Sequence, residues 1–568
     1  MVFVVKAADQ KAKLLRAKIY LQDPFVADLE ESVGIEEIEM PTPEPVLGPG
    51  PSTSRIVVVD YNADLDVVLE PAAPLADETG FNIGRTNPLE NAKFHQVNAW
   101  AVVNRTLQLL EADRVLGRRV PWAFEGGRIT IIPHAGYWEN AYYDRSTGAL
   151  HFFYFAGKNG LPVFTCLSHD IITHELGHAV LDGLKPYYNE ISSPATAGFH
   201  EFFGDAVALA TKLTHRPIAV LVAGSQDAVN SSNVITNIAA GFGAGLSANY
   251  GSLANAYLRS AANNKKMKDV EGVYEEHLYS EVLTGAYYSF LKKAYATRLK
   301  AALADPERPN DTDGQRRVRA LISAAEVTSR ILIRAIDYCP PVDIQFIDFA
   351  KAAIRSDQMA YPIDVGGHRR DLMEVFMDRG IARSERDLRS EFELRNDDLR
   401  DLDVERLSAS KTDAYDFVNA NRHALQIPPE SNLEVINVYR TNKVSSRGYR
   451  PPREIIIEFV WAEDVQLLGE GYGRFRGSVV PLWCGGTIVF SRDGNVLHYA
   501  LKRGTAERRT RLRNYIKHLI ATRAISMASR DTGFGSADKG GSVVGHLDGP
   551  KLHLERSAAF RHAGRGQS

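Results

Sequence analysis

Cysteine is scarce. Cys166, Cys339 and Cys484 are the only three in 568 residues, too few and too scattered for a disulfide framework or a thiolate zinc site. Long apolar runs are missing as well. The opening MVFVVKAADQKAKLL meets charge after a short apolar run, and no later stretch reaches the length a membrane span requires. No signal peptide, no span and no membrane partner are therefore expected, and a cytoplasmic location is the simplest expectation. Excess charge of one sign is absent too: the net charge is −3 with 44% hydrophobic residues. That balance excludes a polyanionic or polycationic chain and fits a soluble protein with room for two or three domains.

What the chain does have is a concentration of chemistry between Ser168 and Leu209, SHDIITHELGHAVLDGLKPYYNEISSPATAGFHEFFGDAVAL. Within it, HELGH places His174 and His178 four apart. On a helix those positions share a face, so both imidazoles can point at one ion. Glu175 lies beside them, able to reach a water on that ion without ligating it. Two imidazoles and one carboxylate base are what a zinc hydrolase needs. A catalytic zinc also requires a third protein ligand. The run Gly198-Phe199-His200-Glu201-Phe202-Phe203-Gly204-Asp205 supplies one on a second apolar helix. Glu201 can ligate, and Asp205, four further on, can take the free ring N–H of a ligand histidine.

On these residues the sequence resembles the thermolysin-like gluzincin metallopeptidases. Their pattern is an aspartate four before the first histidine, then HExxH, then Glu-x-x-x-Asp on the next helix. Asp170, His174, Glu175, His178, Glu201 and Asp205 fill every place. The gap from His178 to Glu201 is slightly longer than in thermolysin, and the surplus falls in the Ser192-Ser193-Pro194 loop, where insertion is tolerated. The resemblance covers about residues 85–382. It implies one Zn2+ per chain held by His174, His178 and Glu201, with Glu175 as general base and Asp205 and Asp170 supporting the ligands from behind. The substrate implied is a peptide or protein.

Further matches are implied by the same family. Asn140-Ala141 corresponds to an Asn-Ala dipeptide on an edge strand that hydrogen-bonds the substrate backbone, as in β-augmentation. His277, in His277-Leu278-Tyr279-Ser280, resembles a histidine that faces the tetrahedral intermediate. Tyr188 is a second donor candidate, with Tyr187 as its rival. Two departures stand out. Lys212 sits where a calcium-ligating carboxylate would be expected, and a lone Asp170 cannot supply six or more oxygens, so no calcium is expected at thermolysin's double site. No arginine is well placed to back up the transition state; Arg216 and Arg259 both lie in unpromising positions, which leaves catalytic power open.

The expected fold is α+β: a thermolysin-like two-lobed metallopeptidase, with a mixed β N-lobe and a mainly α C-lobe, plus an appended C-terminal α+β domain. Residues 1–54 form an N-terminal segment ending in a Pro-rich linker, and 55–165 the N-lobe with the substrate-binding edge strand. The α-helical zinc-binding lobe spans 166–382 and a charged connector 383–430. The C-terminal α+β domain spans 431–528, with strands near 433–439, 454–460, 478–480, 486–490 and 496–502 and an amphipathic helix over 506–524. A Gly/Ser-rich tail, 529–568, is expected to be disordered. Nine basic side chains against one acidic between 501 and 530 could serve an acidic or nucleic-acid partner; a solvated helix face packed on a sheet is the preferred reading. An alternative from another class is a catalytically weak or inactive gluzincin-fold protein that acts as a binding module through its C-terminal domain. Keeping Glu175 argues against it, because a structural zinc has no use for a base.

Overall fold

In the computed structural model, residues 13–42, 48–157, 161–224, 229, 234–240, 243, 259–389, 394–443, 453–527 and 542–557 are described. Helix makes up 43% and strand 22% of the described residues, a mixed composition compatible with the α+β class.

The chain starts with a hairpin. Strand β1 (Lys13–Tyr20) pairs antiparallel with β2 (Ile35–Thr42), and Leu15, Ile19 and Met40 face the main core. The Tyr20 N–H donates to Asn98 Oδ1 at 2.9 Å, on the long helix α1 (Ala92–Glu111), whose N-terminus Asn91 caps through Phe94 N. Residues 13–42 therefore pack on the same core as α1. Pro41 closes β2 at the hairpin end, where its missing N–H breaks no central ladder. A four-stranded sheet follows, in the order β3 (Ile56–Val58), β4 (Ile129–Ile132), β6 (Ala149–Phe152), β5 (Ala141–Asp144). β5 is the edge strand.

Helices make up the next part of the chain. α2 (His169–Leu184) is capped by Ser168, and α3 (Pro194–Lys212) by Ser193 with Pro194 in its first turn. α4 (Glu276–Leu303), α5 (Asp313–Arg334) and α6 (Phe346–Ala360) pack around them in the same core. Every residue of α2 is buried, as its near-continuous apolar sequence requires. No single helix among the described residues is long and apolar enough to cross a membrane; α3 with Arg216–Gly224 passes that test only as a pair bent by 88°.

The segment 383–430 is less of a connector than its charge suggests. Short exposed turns give way to α7 (Lys411–Ala420), whose Ala414, Phe417 and Val418 belong to the core of the last domain. There, β7 (Glu434–Thr441), β8 (Glu454–Gln466), β9 (Val479–Ser491) and β10 (Val496–Lys502) form antiparallel ladders. β9 is one unbroken strand where two were expected, since Pro481 faces an edge register that tolerates it. Helix α8 (Ala506–Ala521) packs on the sheet through Leu512, Tyr515, Ile516 and Leu519. The expectation for the tail fails for 542–557. After β11 (Ile525–Met527), residues β12 (Val543–Asp548) and β13 (Lys551–Arg556) form a hairpin that extends the same sheet. Alternating Leu552 and Leu554 supply the buried face that a Gly/Ser-rich average conceals.

This domain docks on the helical lobe through buried charge. Lys185, directly after α2, donates to Glu458 and to the Cys339 carbonyl; both charged side chains are 1% exposed. Asp343 accepts from Arg508, Arg511 and from Ser193, the cap of α3. Asp337 is paired with Arg118 and Lys443. Burial disfavours the carboxylates of Asp337 and Asp343, but the adjacent cations overcome it and hold each at about 2. Their contribution to stability is thus full above the ordinary 3.8 and lost only as pH falls through about 2. Ile456 and Val489 complete the seal by joining the main core that contains α2 and α3. Stranding a buried charge costs ~3–5 kcal/mol, whereas replacing the whole pair by apolar groups is near neutral. Glu458→Gln should therefore lower the denaturation midpoint sharply, and Lys185→Met/Glu458→Leu should restore most of the loss. Equal destabilisation by the single and double variants in urea unfolding would contradict the buried pair's role.

Candidate metal centre

α2 and α3 cross at two glycines. A Cβ on Gly177 would lie 2.8 Å from Gly204 Cα, and a Cβ on Gly204 would lie 2.7 Å from the His174 ring. Only glycine lets the backbones come this close. The crossing sets both pairs of functional residues against each other. His174 Nε2 is 3.4 Å from Glu201 Oε2, and His178 Nε2 is 3.6 Å from Glu201 Oε1. The two imidazoles stand perpendicular, 4.7 Å between centroids. Ligands 2.0–2.2 Å from a tetrahedral zinc lie roughly 3.3–3.5 Å from one another, so the three side chains fit that ion. Ligand-type atoms of His174, Glu175 and His178 also lie within 4.8 Å of one another. Glu201 is the better third ligand, because one of its oxygens faces each imidazole nitrogen.

The supporting residues are aimed at this triad. Asp205 Oδ1 is 3.1 Å from His174 Nδ1, as the i, i+4 spacing from Glu201 predicts, and fixes the tautomer that presents Nε2. Thr284 on α4 donates to the other Asp205 oxygen at 3.1 Å. Glu275 caps α4 by accepting from the backbone N–H groups of His277 and Leu278, and its Oε1 lies 2.7 Å from His277 Nδ1. The far nitrogen, His277 Nε2, reaches Glu201 Oε2 at 3.2 Å. Glu276 beside it is tied to Arg556 of β13. Glu175 Oε2 accepts the Tyr143 backbone N–H at 3.1 Å, so the base rests on the edge strand β5. Along that strand the Ala141 N–H turns to the side chain of buried Asn140 at 2.9 Å.

Three expectations are corrected. Arg259 is not remote: it donates to Asp205 Oδ1 at 2.9 Å, comes within 3.9 Å of Glu201, and is 7% exposed. It arrives on a two-residue strand, Arg259–Ser260, paired with Asn237–Ile238. No spacing rule links it to the helices, so sequence alone could not have found it. The second-donor tyrosines do not face the site. Tyr188 is fully buried with its hydroxyl donating to the Pro340 carbonyl at 2.6 Å, and Tyr187 donates to Glu434. Asp170 does not support a ligand histidine. Its Oδ2 takes Lys212 Nζ at 2.7 Å and the Ala239 N–H at 3.1 Å, so the ammonium of Lys212 neutralises it. Glu275 was the support within reach of inspection, since a carboxylate two before a helix-start histidine both caps and orients.

The pocket seeks positive charge. Burial opposes charging of His174, yet hydrogen bonds to Asp205 and Glu201 raise its pKa to about 9. Burial likewise opposes His277, and Glu201 and Glu275 raise it to about 10. Burial pushes the Asp205 carboxyl up, but Arg259 and His174 hold it below the usual range. Carboxylates that draw protons this strongly would also draw a divalent cation.

Neither the protein-family models nor the curated proteins compared with this chain match it; the geometry alone supports a functional assignment.

Two predictions follow from the geometry. Gly204→Ala should drive a methyl group into the His174 ring and weaken zinc binding by about 10–100-fold, as measured by competition with a chromophoric chelator; unchanged affinity would show that the close crossing is not what positions His174. Before a metal binds, the raised His174 pKa stabilises the fold fully below 6.5, an effect lost as pH rises through about 9. A metal must displace that proton, so zinc affinity should rise about tenfold per pH unit from 6.5 and level off above about 9. A flat profile would refute the coupling.

Proposed function

We propose that this chain is a zinc-dependent peptidase of the thermolysin-like gluzincin kind, with the two-lobed architecture of that family, acting on a peptide or protein chain as an endopeptidase. The observation that carries this is the convergence of His174, His178 and Glu201 at tetrahedral spacing, with Glu175 and His277 on either side. A structural zinc would need neither of the last two.

When bound, zinc supplies Lewis acidity that polarises a carbonyl and makes water a stronger acid. The chain's own residues perform the remaining tasks. Glu175 takes a proton from the attacking water and later delivers it to the leaving amine. The Tyr143 N–H holds one Glu175 oxygen in place during both transfers. His277, kept protonated at neutral pH by its carboxylate neighbours, donates to the oxygen on which negative charge develops. Asp205 keeps His174 in its ligating tautomer, and Arg259 offsets the excess negative charge behind the ligands. A substrate chain would add alongside the edge strand β5, with Asn140 and Ala141 at the strand's entrance.

The basic face of α8 is largely spent inside the protein. Arg508 and Arg511 pair with Asp343, Arg509 with Glu463, and Lys502 with Asp348. That weakens the case for an acidic or nucleic-acid partner and favours the solvated, packed face.

The test is cleavage of an unstructured protein such as casein by wild type, Glu175→Gln and His277→Phe, with bound zinc quantified in each. Zinc content should be the same in all three, because neither substitution removes a ligand, while Glu175→Gln loses at least ~10³-fold and His277→Phe about 10²-fold in kcat. Zinc without cleavage by wild type would instead support the inactive, binding-module alternative. Absence of zinc from wild type would refute both.

A further inference from the structure

A second cluster of ligand-type side chains lies in the N-lobe. His95 is in the first turn of α1, His134 follows β4, and Cys166 lies in the 3-10 turn Thr165–Leu167 just before α2. One ligand atom from each lies within 4.8 Å of the others. All are buried, at 1%, 5% and 0% exposure, and Cys166 is in no disulfide.

Outer hydrogen bonds fix what the inner atoms offer. His95 Nε2 is 2.9 Å from the Pro88 carbonyl, which can only accept, so this nitrogen carries the proton. His134 Nδ1 lies 2.8 and 3.0 Å from the two oxygens of Asp60 and also carries a proton. Asp60 is itself held by Gln96 Nε2 at 2.8 Å. Two neutral imidazoles tied this way direct their remaining lone pairs inward, and His95 Nδ1 and His134 Nε2 do meet, 2.8 Å apart. Facing lone pairs need a cation between them, either one shared proton or a metal ion. Outer N–H groups bound to a carboxylate and a carbonyl, with inner nitrogens converging beside a thiol, are how proteins orient histidine ligands. The Phe164 ring, 4.6 Å from His95 and 5.6 Å from His134 between centroids, walls the cluster from water.

Charge balance is equally accommodating. With a shared proton, the cluster holds an imidazolium, the Asp60 carboxylate and a neutral thiol, and its net charge is zero. If one divalent ion replaces the shared proton and the thiol proton, the net charge is again zero, with Cys166 as thiolate. Neutrality matters in a site this dry.

We propose that His95 Nδ1, His134 Nε2 and Cys166 Sγ form a second, structural site for a divalent cation of the zinc class, oriented by Asp60 and the Pro88 carbonyl. The inner nitrogens must part by roughly half an ångström to reach the edge of a zinc tetrahedron, which small ring rotations provide. Such a site would tie α1 and the loop after β4 to the residue two before Ser168, the cap of the helix that carries His174 and His178. It would brace the catalytic helix at its start.

Cobalt distinguishes the two sites. The His174–His178–Glu201 set has no sulfur, so thiolate-to-cobalt charge-transfer absorption in the near ultraviolet reports a cysteine ligand alone. Full-length protein stripped of metal and titrated with Co2+ should bind about two ions and show this absorption. It should also release two protons for the ion taken at the cysteine site. Cys166→Ala should lose the absorption and one ion, while His178→Ala should lose the other ion and keep the absorption. Wild-type protein with no thiolate absorption at saturating cobalt, or an absorption that survives Cys166→Ala, would overturn the proposal in favour of the shared proton. These outcomes do not depend on whether the chain cleaves peptides.

Discussion

The close passage of α2 over α3 at Gly177 and Gly204 is the constraint on which the rest of the site depends. Each helix carries two functional residues four apart, and neither pair completes a site alone. Direct backbone contact brings Glu201 between two imidazoles and Asp205 behind one of them. Any side chain at Gly204 would stand where the His174 ring stands. The glycines therefore set where His174, Glu201 and Asp205 stand while contributing no side-chain atom, and the apolar sequences around them keep both helices buried.

Buried charge recurs outward from that crossing. Lys212 sits on Asp170, Arg259 on Asp205, Lys185 on Glu458, and Arg508 and Arg511 on Asp343. Such pairs are weak evidence for stability, because taking both ions from water costs several kcal/mol each. A domain docked through oriented ion pairs has one low-energy placement, whereas one docked on apolar surface alone can shift. The last domain meets the cap of α3 and the end of α2, so both helices are held at one end by it.

The local features were legible in the sequence. The i, i+4 spacings of His174/His178 and Glu201/Asp205, the Ser168 and Ser193 caps, and the strands of the last domain follow from periodicity and capping, which depend on neighbours in the chain. What escaped notice depends on neighbours in space. Arg259 reaches Asp205 from a polar stretch with no periodic pattern. Tyr188 reads as a donor near a zinc helix, yet a turn directs its hydroxyl to Pro340. The hairpin of 543–556 was hidden by the Gly/Ser-rich residues preceding it, although Val543, Leu552 and Leu554 alternate as a half-buried strand should. The nearness of Cys166 to His95 and His134 was equally hidden, because those residues lie on α1 and after β4, far away in sequence.

Arg556 pairs with Glu276, one residue before His277. The start of α4 is thus pinned by a side chain that leaves the ribosome some 280 residues later. During vectorial synthesis His174, His178 and Glu201 emerge first, but the strand that holds the start of the His277 helix is still unmade. A nascent or truncated chain would therefore carry His174, His178 and Glu201 without the ion pair that ties the start of α4 to β13.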